Sequence, residues 1–263
     1  MKLLLFIGSN PNHRALASKL QQTGHEIHIV VEKRVNTKKK SIKQICEKVV
    51  EKLFFSFIDQ SWMKLMKHYS SEKFKLKSEH IYETSYINAD EVIEITKQVK
   101  PDLIVVSGTS LIKEKLLSLK PDRGIVNLHT GLSPYIKGGP NCTNWCIAMN
   151  QPYFIGNTIM WIDAGIDTGN IITTEQVKLD GNEDLFQIHL KVMESAHDLY
   201  LRVIDKISKG ETVPNVAQDM IAKGTTYYNK EWNLGMKFKL KRNMKNMAKN
   251  FTKSQEIQII ELS

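Results

Sequence analysis

The stretch Gly124-Ile-Val-Asn-Leu-His-Thr-Gly-Leu-Ser-Pro-Tyr-Ile-Lys-Gly-Gly-Pro140 changes character partway along. Gly124 to Leu128 is a short, mostly apolar run of strand type, whereas from Thr130 onward glycine and proline recur as in a turn-rich loop. Asn127 and His129 stand two apart at the junction. In an extended chain, residues i and i+2 point to the same side, so an amide and an imidazole emerge together at a strand end. That is where α/β proteins place their chemistry. Thirty-eight residues after the histidine, Asp167 in Ile166-Asp-Thr-Gly169 brings a carboxylate from a second loop. It can orient or charge-balance the imidazole. The three residues form an acid–base constellation with an oxyanion donor beside it.

Outward from this stretch the pattern is α/β. Residues 2–7 read as a buried strand, Asn12 to Thr23 as a helix ended by Gly24, and residues 26–31 as the next strand, a βαβ opening. The first loop, Gly8-Ser-Asn-Pro-Asn-His13, lacks the spaced glycines that admit a pyrophosphate, which disfavours a nicotinamide enzyme. The helix start can hold one phosphate through Ser9, Asn10 and Arg14, or those residues can simply cap it. A helix at 89–98, a strand running from Pro101 into a loop at Ser107-Gly108, and a short helix at 111–119 precede the central strand. A helix at 142–149 and strands at 154–162 and 170–177 follow it. A long helix then runs from about Asp184 to Ser208 and stops at Gly210. Leu185, Ile188, Val192, Ala196, Leu199, Val203 and Ile207 keep helical spacing along it, and His189 and His197 read as packing residues.

The fold expected is a Rossmann-like open, mostly parallel sheet with flanking helices, plus a small C-terminal tail subdomain. The boundaries are a catalytic domain over 1–210, with a helical insertion at about 34–72, and a tail over 211–263. The insertion carries Leu53, Phe54, Phe55, Phe57, Ile58, Trp62, Leu65 and Met66. It is expected to pack on the edge of the sheet, a membrane-surface helix being the alternative.

Composition narrows the class. At 263 residues the chain can bury one sizeable core with a small appendage. It has no apolar run long enough to span a bilayer. The N-terminal Met1-Lys-Leu-Leu-Leu-Phe-Ile-Gly8 is too short for a signal peptide. Three cysteines (Cys46, Cys142, Cys146) suit a reducing cytoplasm, and no further ligand stands at zinc spacing, so no metal is expected. The net charge of +9 is concentrated in Lys33, Arg34, Lys38, Lys39, Lys40 and Lys43, and again from Lys237 to Lys253. It points to an anionic partner or to solvated helix faces; the aromatic interleaving of a single-strand nucleic-acid track is missing.

The span from Pro101 to about Val177 resembles the folate-dependent formyltransferases. The resemblance rests on Asn127-Leu-His129, Gly131-Leu-Ser-Pro134, Gly138-Gly139, Pro140, Trp145-Cys-Ile-Ala148, Gly156-Asn-Thr158 and Asp167-Thr-Gly169, in order and at compatible spacing. It implies transfer of a formyl group from 10-formyltetrahydrofolate to an amine, with Asn127, His129 and Asp167 as the catalytic residues. Asn127 would donate to the oxyanion. His129 would act as proton acceptor and electrostatic partner, and Asp167 would orient it. The resemblance also implies folate contacts from Ser107, Gly108, Gly131, Leu132, Ser133 and Pro134. Gly131 and Ser133 replace the family's usual Ser and Leu, Tyr135 sits one place early, and Lys137 stands where Arg is common.

Within the family the acceptor separates the members. Methionyl-tRNA formyltransferases append a C-terminal barrel domain, for which the tail after Gly210 is short; glycinamide ribonucleotide formyltransferases carry a glycine-rich loop that Gly8-Ser-Asn-Pro11 matches poorly. His129-Thr-Gly-Leu-Ser-Pro-Tyr135 and Gly224-Thr-Thr-Tyr-Tyr-Asn-Lys-Glu-Trp232 look like the sugar N-formyltransferases, which act on a nucleotide-linked amino-deoxy sugar for surface polysaccharides. That reading implies a cytoplasmic enzyme with folate and a nucleotide sugar as partners, no stable nucleic-acid partner, and a possible homodimer. Ser9, Asn10, Tyr227, Tyr228 and Trp232 are its candidate substrate contacts; the three aromatics can stack on a base or sugar, or pin the tail to the core. A methionyl-tRNA formyltransferase-like enzyme and a non-catalytic folate-binding scaffold are the alternatives.

Overall fold

The computed structural model describes residues 1–34, 42–77, 80–139, 141–165, 167–247 and 257–262, with backbone alone for 42–46. Lys38, Lys39, Lys40, Pro140, Ile166, Lys249 and Lys253 lie outside these residues, as do the side chains of Lys43 and Cys46.

Seven strands form one sheet in the order β3-β2-β1-β4-β5-β7-β8. They are β1 (Lys2–Gly8), β2 (Glu26–Glu32), β3 (Ile81–Thr84), β4 (Leu103–Ser107), β5 (Ile125–His129), β7 (Gly156–Trp161) and β8 (Ile171–Gln176). The first five run parallel, while β7 is antiparallel to both β5 and β8. The expected Rossmann-like architecture is therefore present. Alternation along the strands sorts side chains between two cores. Leu3, Leu5, Val105, Val126 and Leu128 pack beneath α1 (Pro11–Leu20) and α7 (Leu185–Ser208). Leu4, Phe6, Ile104, Val106 and Ile125 pack beneath α4 (Asp90–Val99) and α5 (Glu114–Leu117). The parity of β5 assigns Asn127 and His129 to the same face as Ile125.

The long helix is started by a capping box in which the Asp184 carboxylate accepts from Gln187 N and the Gln187 side chain accepts from Asp184 N, both at 2.8 Å. Its buried Tyr200 donates to Val126 O at 2.7 Å and accepts from Val106 N at 3.1 Å. One hydroxyl thereby ties together the two strands that carry the site. His189 and His197 are buried on this helix. Burial holds their imidazoles down at about 4 and about 3, the nearby Lys19 charge adding to the effect at His197. They are neutral packing residues, as expected.

The insertion differs from expectation. Its helices α2 (Ile42–Phe54) and α3 (Ser56–Tyr69) do not lie on the sheet edge; α3 packs across α1 and α7, in the helix layer. Leu65 and Tyr69 are buried there, and the Tyr69 hydroxyl donates to Glu194 at 2.6 Å. The groove between α1 and α7 buries Leu65 and Tyr69 against Ala15 and Met193. Of the aromatic set, Phe55 is buried, whereas Leu53 and Phe54 are 70% and 52% exposed.

Beyond α7 the chain is stitched back onto the body. Val216 bridges to Ile171, β9 (Thr225–Tyr227) pairs in parallel with β6 (Ile136–Gly138), and α8 (Leu234–Met244) packs on α6 (Cys142–Ala148). Ile260 exchanges hydrogen bonds with Thr174 on the edge strand β8. Among the described residues no helix is long and apolar enough to cross a membrane.

Candidate active site

Asn127 and His129 end β5, and the register places Asn127 between Val106 of β4 and Met160 of β7. Asp167 reaches them from the loop between β7 and β8. Its Oδ2 lies 3.2 Å from His129 Nδ1 and accepts from Gly138 N at 3.3 Å. Its Oδ1 is 3.5 Å from Asn127 Nδ2, a long contact that leaves the amide free to turn toward another acceptor. The three residues named from the sequence thus converge.

His129 is boxed in. The opposite ring nitrogen, Nε2, is 3.3 Å from the Ile136 carbonyl and 3.6 Å from Cys142 Sγ. Both nitrogens therefore face acceptors, which only the doubly protonated imidazolium satisfies. Burial pushes the imidazole down, but the Asp167 carboxylate, the Cys142 sulfur and the Ile136 carbonyl together outweigh it, raising the pKa to about 10. Gly131 makes room for the ring: a Cβ there would lie 2.6 Å from Nε2 and 3.0 Å from the Cys142 Cβ.

Two members of the triad border a cavity of about 480 Å³ between the loop after β4 and the loop carrying Asp167. Val106, Leu111, Ile112, Met160, Trp161 and Ile162 give it apolar walls, while Asn127, Asp163 and Asp167 supply polar edges. Asn127 and Asp167 line it, but buried His129 does not. Among the other candidate contacts named from the sequence, Gly108, Tyr227 and Tyr228 line the cavity, as do the motif residues Gly138, Gly139, Thr168 and Gly169. Ser107 is buried and hydrogen-bonded to His13 Nδ1 at 3.0 Å. Gly131, Leu132, Ser133 and Pro134 are buried beneath the triad and do not line it. Ser9 and Asn10 are exposed outside it. Trp232 meets Trp145 edge-on at 4.9 Å, and Tyr227 stacks on the same indole at 4.3 Å, so these two aromatics pin the tail to α6.

Sequence reasoning missed one contributor, Gln218, and named a second, Arg34, only as a member of a basic cluster. Gln218, in the 3-10 turn Gln218–Met220, donates its side-chain amide to the carbonyls of Asp167 at 2.9 Å and Gly169 at 2.8 Å. It holds a loop in which Asp167 adopts a left-handed φ of 51°. Arg34 lines the cavity from the end of β2.

A family model described as formyl transferase matches residues 1–204. The chain belongs to this formyltransferase family. Its sequence is 33% identical over 129 residues to the methionyl-tRNA formyltransferase of Clostridium tetani and 36% over 135 residues to that of Clostridium beijerinckii. Those alignments cover 49% and 51% of this chain and 41% and 43% of the two relatives, so the chain spans less than half the length of the relatives it matches. Solved structures of similar fold include a 4-N formyltransferase from Francisella tularensis, at TM-score 0.58 and 17% identity, covering 92% of this chain and 87% of that one. A sugar N-formyltransferase from a Shewanella species aligns at TM-score 0.57 and 14% identity, covering 92% and 88%. The formyltransferase PseJ from Anoxybacillus kamchatkensis, in complex with UDP-4,6-dideoxy-4-formamido-L-AltNAc and tetrahydrofolate, aligns at TM-score 0.52 and 17% identity, covering 87% of each chain.

Proposed function

We propose that the protein is an N-formyltransferase that moves a formyl group from 10-formyltetrahydrofolate to the amino group of a nucleotide-linked amino-deoxy sugar. The observation that carries the transfer chemistry is the convergence of Asn127, His129 and Asp167 at the cavity edge. The cavity suits a folate head group, since a flat bicyclic ring with polar edges needs apolar walls and a few convergent polar groups.

The donor supplies a formyl carbon bonded to nitrogen; the residues must orient it and handle charge and protons. Asn127 donates an N–H bond to the formyl oxygen as the amine attacks, an interaction that strengthens as that oxygen becomes negative. His129 stays cationic, its positive charge stabilising the developing oxyanion through the low-dielectric interior. With both ring nitrogens already engaged, the proton lost by the attacking nitrogen goes to Asp167, which lines the cavity and whose Oδ1 lies beside the Asn127 amide. Asp167 then returns a proton to the departing folate nitrogen, so the charges balance over the cycle.

The sugar acceptor is supported by the solved sugar N-formyltransferase from a Shewanella species and the solved 4-N formyltransferase, each aligning over 92% of this chain. The second reading, transfer to methionyl-tRNA, is favoured by the sequence relatives at 33% and 36% identity. Purified protein supplied with 10-formyltetrahydrofolate and either methionyl-tRNA or a panel of UDP- and dTDP-linked amino sugars distinguishes them. Mass spectrometry is expected to find a formamido product from a nucleotide sugar. Formylated methionyl-tRNA alone overturns the sugar reading, and folate binding with no product from any acceptor points to a scaffold.

A further inference from the structure

The end of β2 reads Glu32-Lys33-Arg34, and alternation sends the carboxylate and the guanidinium to one side. The Glu32 side chain is fully buried; its carboxylate accepts from Ile87 N at 2.9 Å, Ser110 N at 2.7 Å and Arg34 Nε at 2.8 Å. A buried carboxylate needs such partners, since leaving one unpaired is strongly destabilising. Glu32 therefore joins the loop before α4, the loop after β4 and the Arg34 side chain into one unit. Lys33, on the opposite side, is drawn away to Glu83 at 2.6 Å.

Arg34 is 54% exposed even so. One Nη2 N–H donates to Gly108 O at 3.2 Å, and Nε is committed to Glu32. A guanidinium has five N–H donors, so three remain without a partner among the described residues. Among the described residues lining the cavity, Arg34 is the one basic side chain; the other charged residues there are Asp163 and Asp167. Among the described residues the cavity thus has the Asp167 carboxylate beside Asn127, a second carboxylate at Asp163 in the same loop, and a fixed guanidinium on the wall formed by Gly108.

We propose that Arg34, held in place by buried Glu32, is the anion-recognition residue of this cavity, binding the paired oxygens of a phosphate or carboxylate on the bound substrate. The proposal rests on the formyl-transfer reading for what enters the cavity. An anionic group is repelled by Asp163 and Asp167 and attracted by Arg34, so the charge pattern directs the uncharged reacting end toward Asn127 and Asp167. A planar guanidinium with its outer edge free suits two oxygens of one group better than a point charge does. Either the diphosphate of the acceptor or the glutamate carboxylates of the folate could supply them.

Calorimetric titrations of wild-type, Arg34→Gln and Arg34→Lys protein with paired probes separate these sources. The pairs are UDP with uridine, dTDP with thymidine, and tetrahydrofolate with carboxylate-free 6-methyltetrahydropterin. Arg34→Gln is expected to weaken the anionic member of at least one pair about 10- to 100-fold, the range for a lost charged hydrogen bond, while leaving its neutral partner unchanged. A loss confined to UDP and dTDP assigns the phosphate, and a loss confined to tetrahydrofolate assigns the carboxylate. Arg34→Lys keeps a cation against Glu32 and should show a smaller loss; it serves for the same comparison if Arg34→Gln does not fold. Equal weakening of charged and neutral members, no weakening, or no binding of any anionic probe to wild-type protein overturns the proposal. If wild-type protein binds UDP or dTDP but neither pterin probe, the folate reading fails, while the nucleotide pairs still test Arg34.

Discussion

At the scale of single residues, the surroundings of His129 decide what it can do. The sequence placed the imidazole beside an amide and near a carboxylate, but spacing alone left it free to be base or cation. The Ile136 carbonyl at 3.3 Å from Nε2 and Asp167 at 3.2 Å from Nδ1 make it a cation. Asp167 was legible as a carboxylate from a second loop, whereas the Ile136 carbonyl, at the start of β6, is a backbone partner that no side-chain pattern reveals. A stability profile follows from the raised pKa. Below the unfolded value of 6.5 the imidazole is protonated in both states, and the ion pair contributes its full stabilisation. Between 6.5 and about 10 the folded protein alone retains the proton, so this contribution falls as pH rises through that window. Urea midpoints of the wild type should therefore decline more steeply with pH across it than those of His129→Gln; parallel profiles would contradict the cationic assignment. NMR titration of the ring in Asp167→Asn should show the imidazole losing its proton at a lower pH than in the wild type.

At the scale of elements, β5 and its flanking turn were legible because period-two alternation and glycine–proline punctuation are strong local signals. Which part of the turn borders the cavity was not. Gly131 to Pro134 are buried, whereas Gly138 and Gly139 line the cavity together with the loop after β4. Gly131 has a packing reason of its own. Gly131→Ala should force His129 or Cys142 aside, costing about 1–3 kcal/mol of stability by overpacking and lowering kcat, as measured by denaturation and initial rates. A variant as stable and active as the wild type removes that constraint. Gln218 was illegible for a different reason: it sits 51 residues from Asp167 and acts on backbone carbonyls, which leave no trace in side-chain spacing. Gln218→Leu should deprive the buried Gly169 carbonyl and the half-buried Asp167 carbonyl of this donor and cost about 1–3 kcal/mol. If Gln218 positions Asp167, kcat falls far more than the folate KM rises. A proportional change in both would make Gln218 a general structural support.

At the scale of the whole molecule, the parallel sheet was legible from βαβ alternation, whereas the placement of the insertion was not. Amphipathic helices announce that one face will be buried but not against what, and α3 found the groove between α1 and α7 in preference to the sheet edge. The segment after α7 is likewise joined to the site rather than appended beside it. β9 closes on Gly138, where a Cβ would meet the Tyr227 carbonyl at 2.1 Å, and Gln218 grips the loop of Asp167. The site is thus assembled from the strand ends, the loop after β4 and the returning tail together.

The central claim is that formyl transfer occurs at Asn127, His129 and Asp167. Its most direct measurement is amine-dependent release of tetrahydrofolate from 10-formyltetrahydrofolate by wild-type protein and by Asn127→Ala, His129→Ala and Asp167→Ala, each checked for native circular dichroism. Wild-type protein should release tetrahydrofolate with at least one acceptor, and folded Asn127→Ala should lose on the order of 10²-fold in kcat, the usual cost of one oxyanion donor, with His129→Ala and Asp167→Ala losing at least as much. Wild-type release no faster than in the three variants, with every nucleotide-linked amino sugar and with methionyl-tRNA, would contradict it.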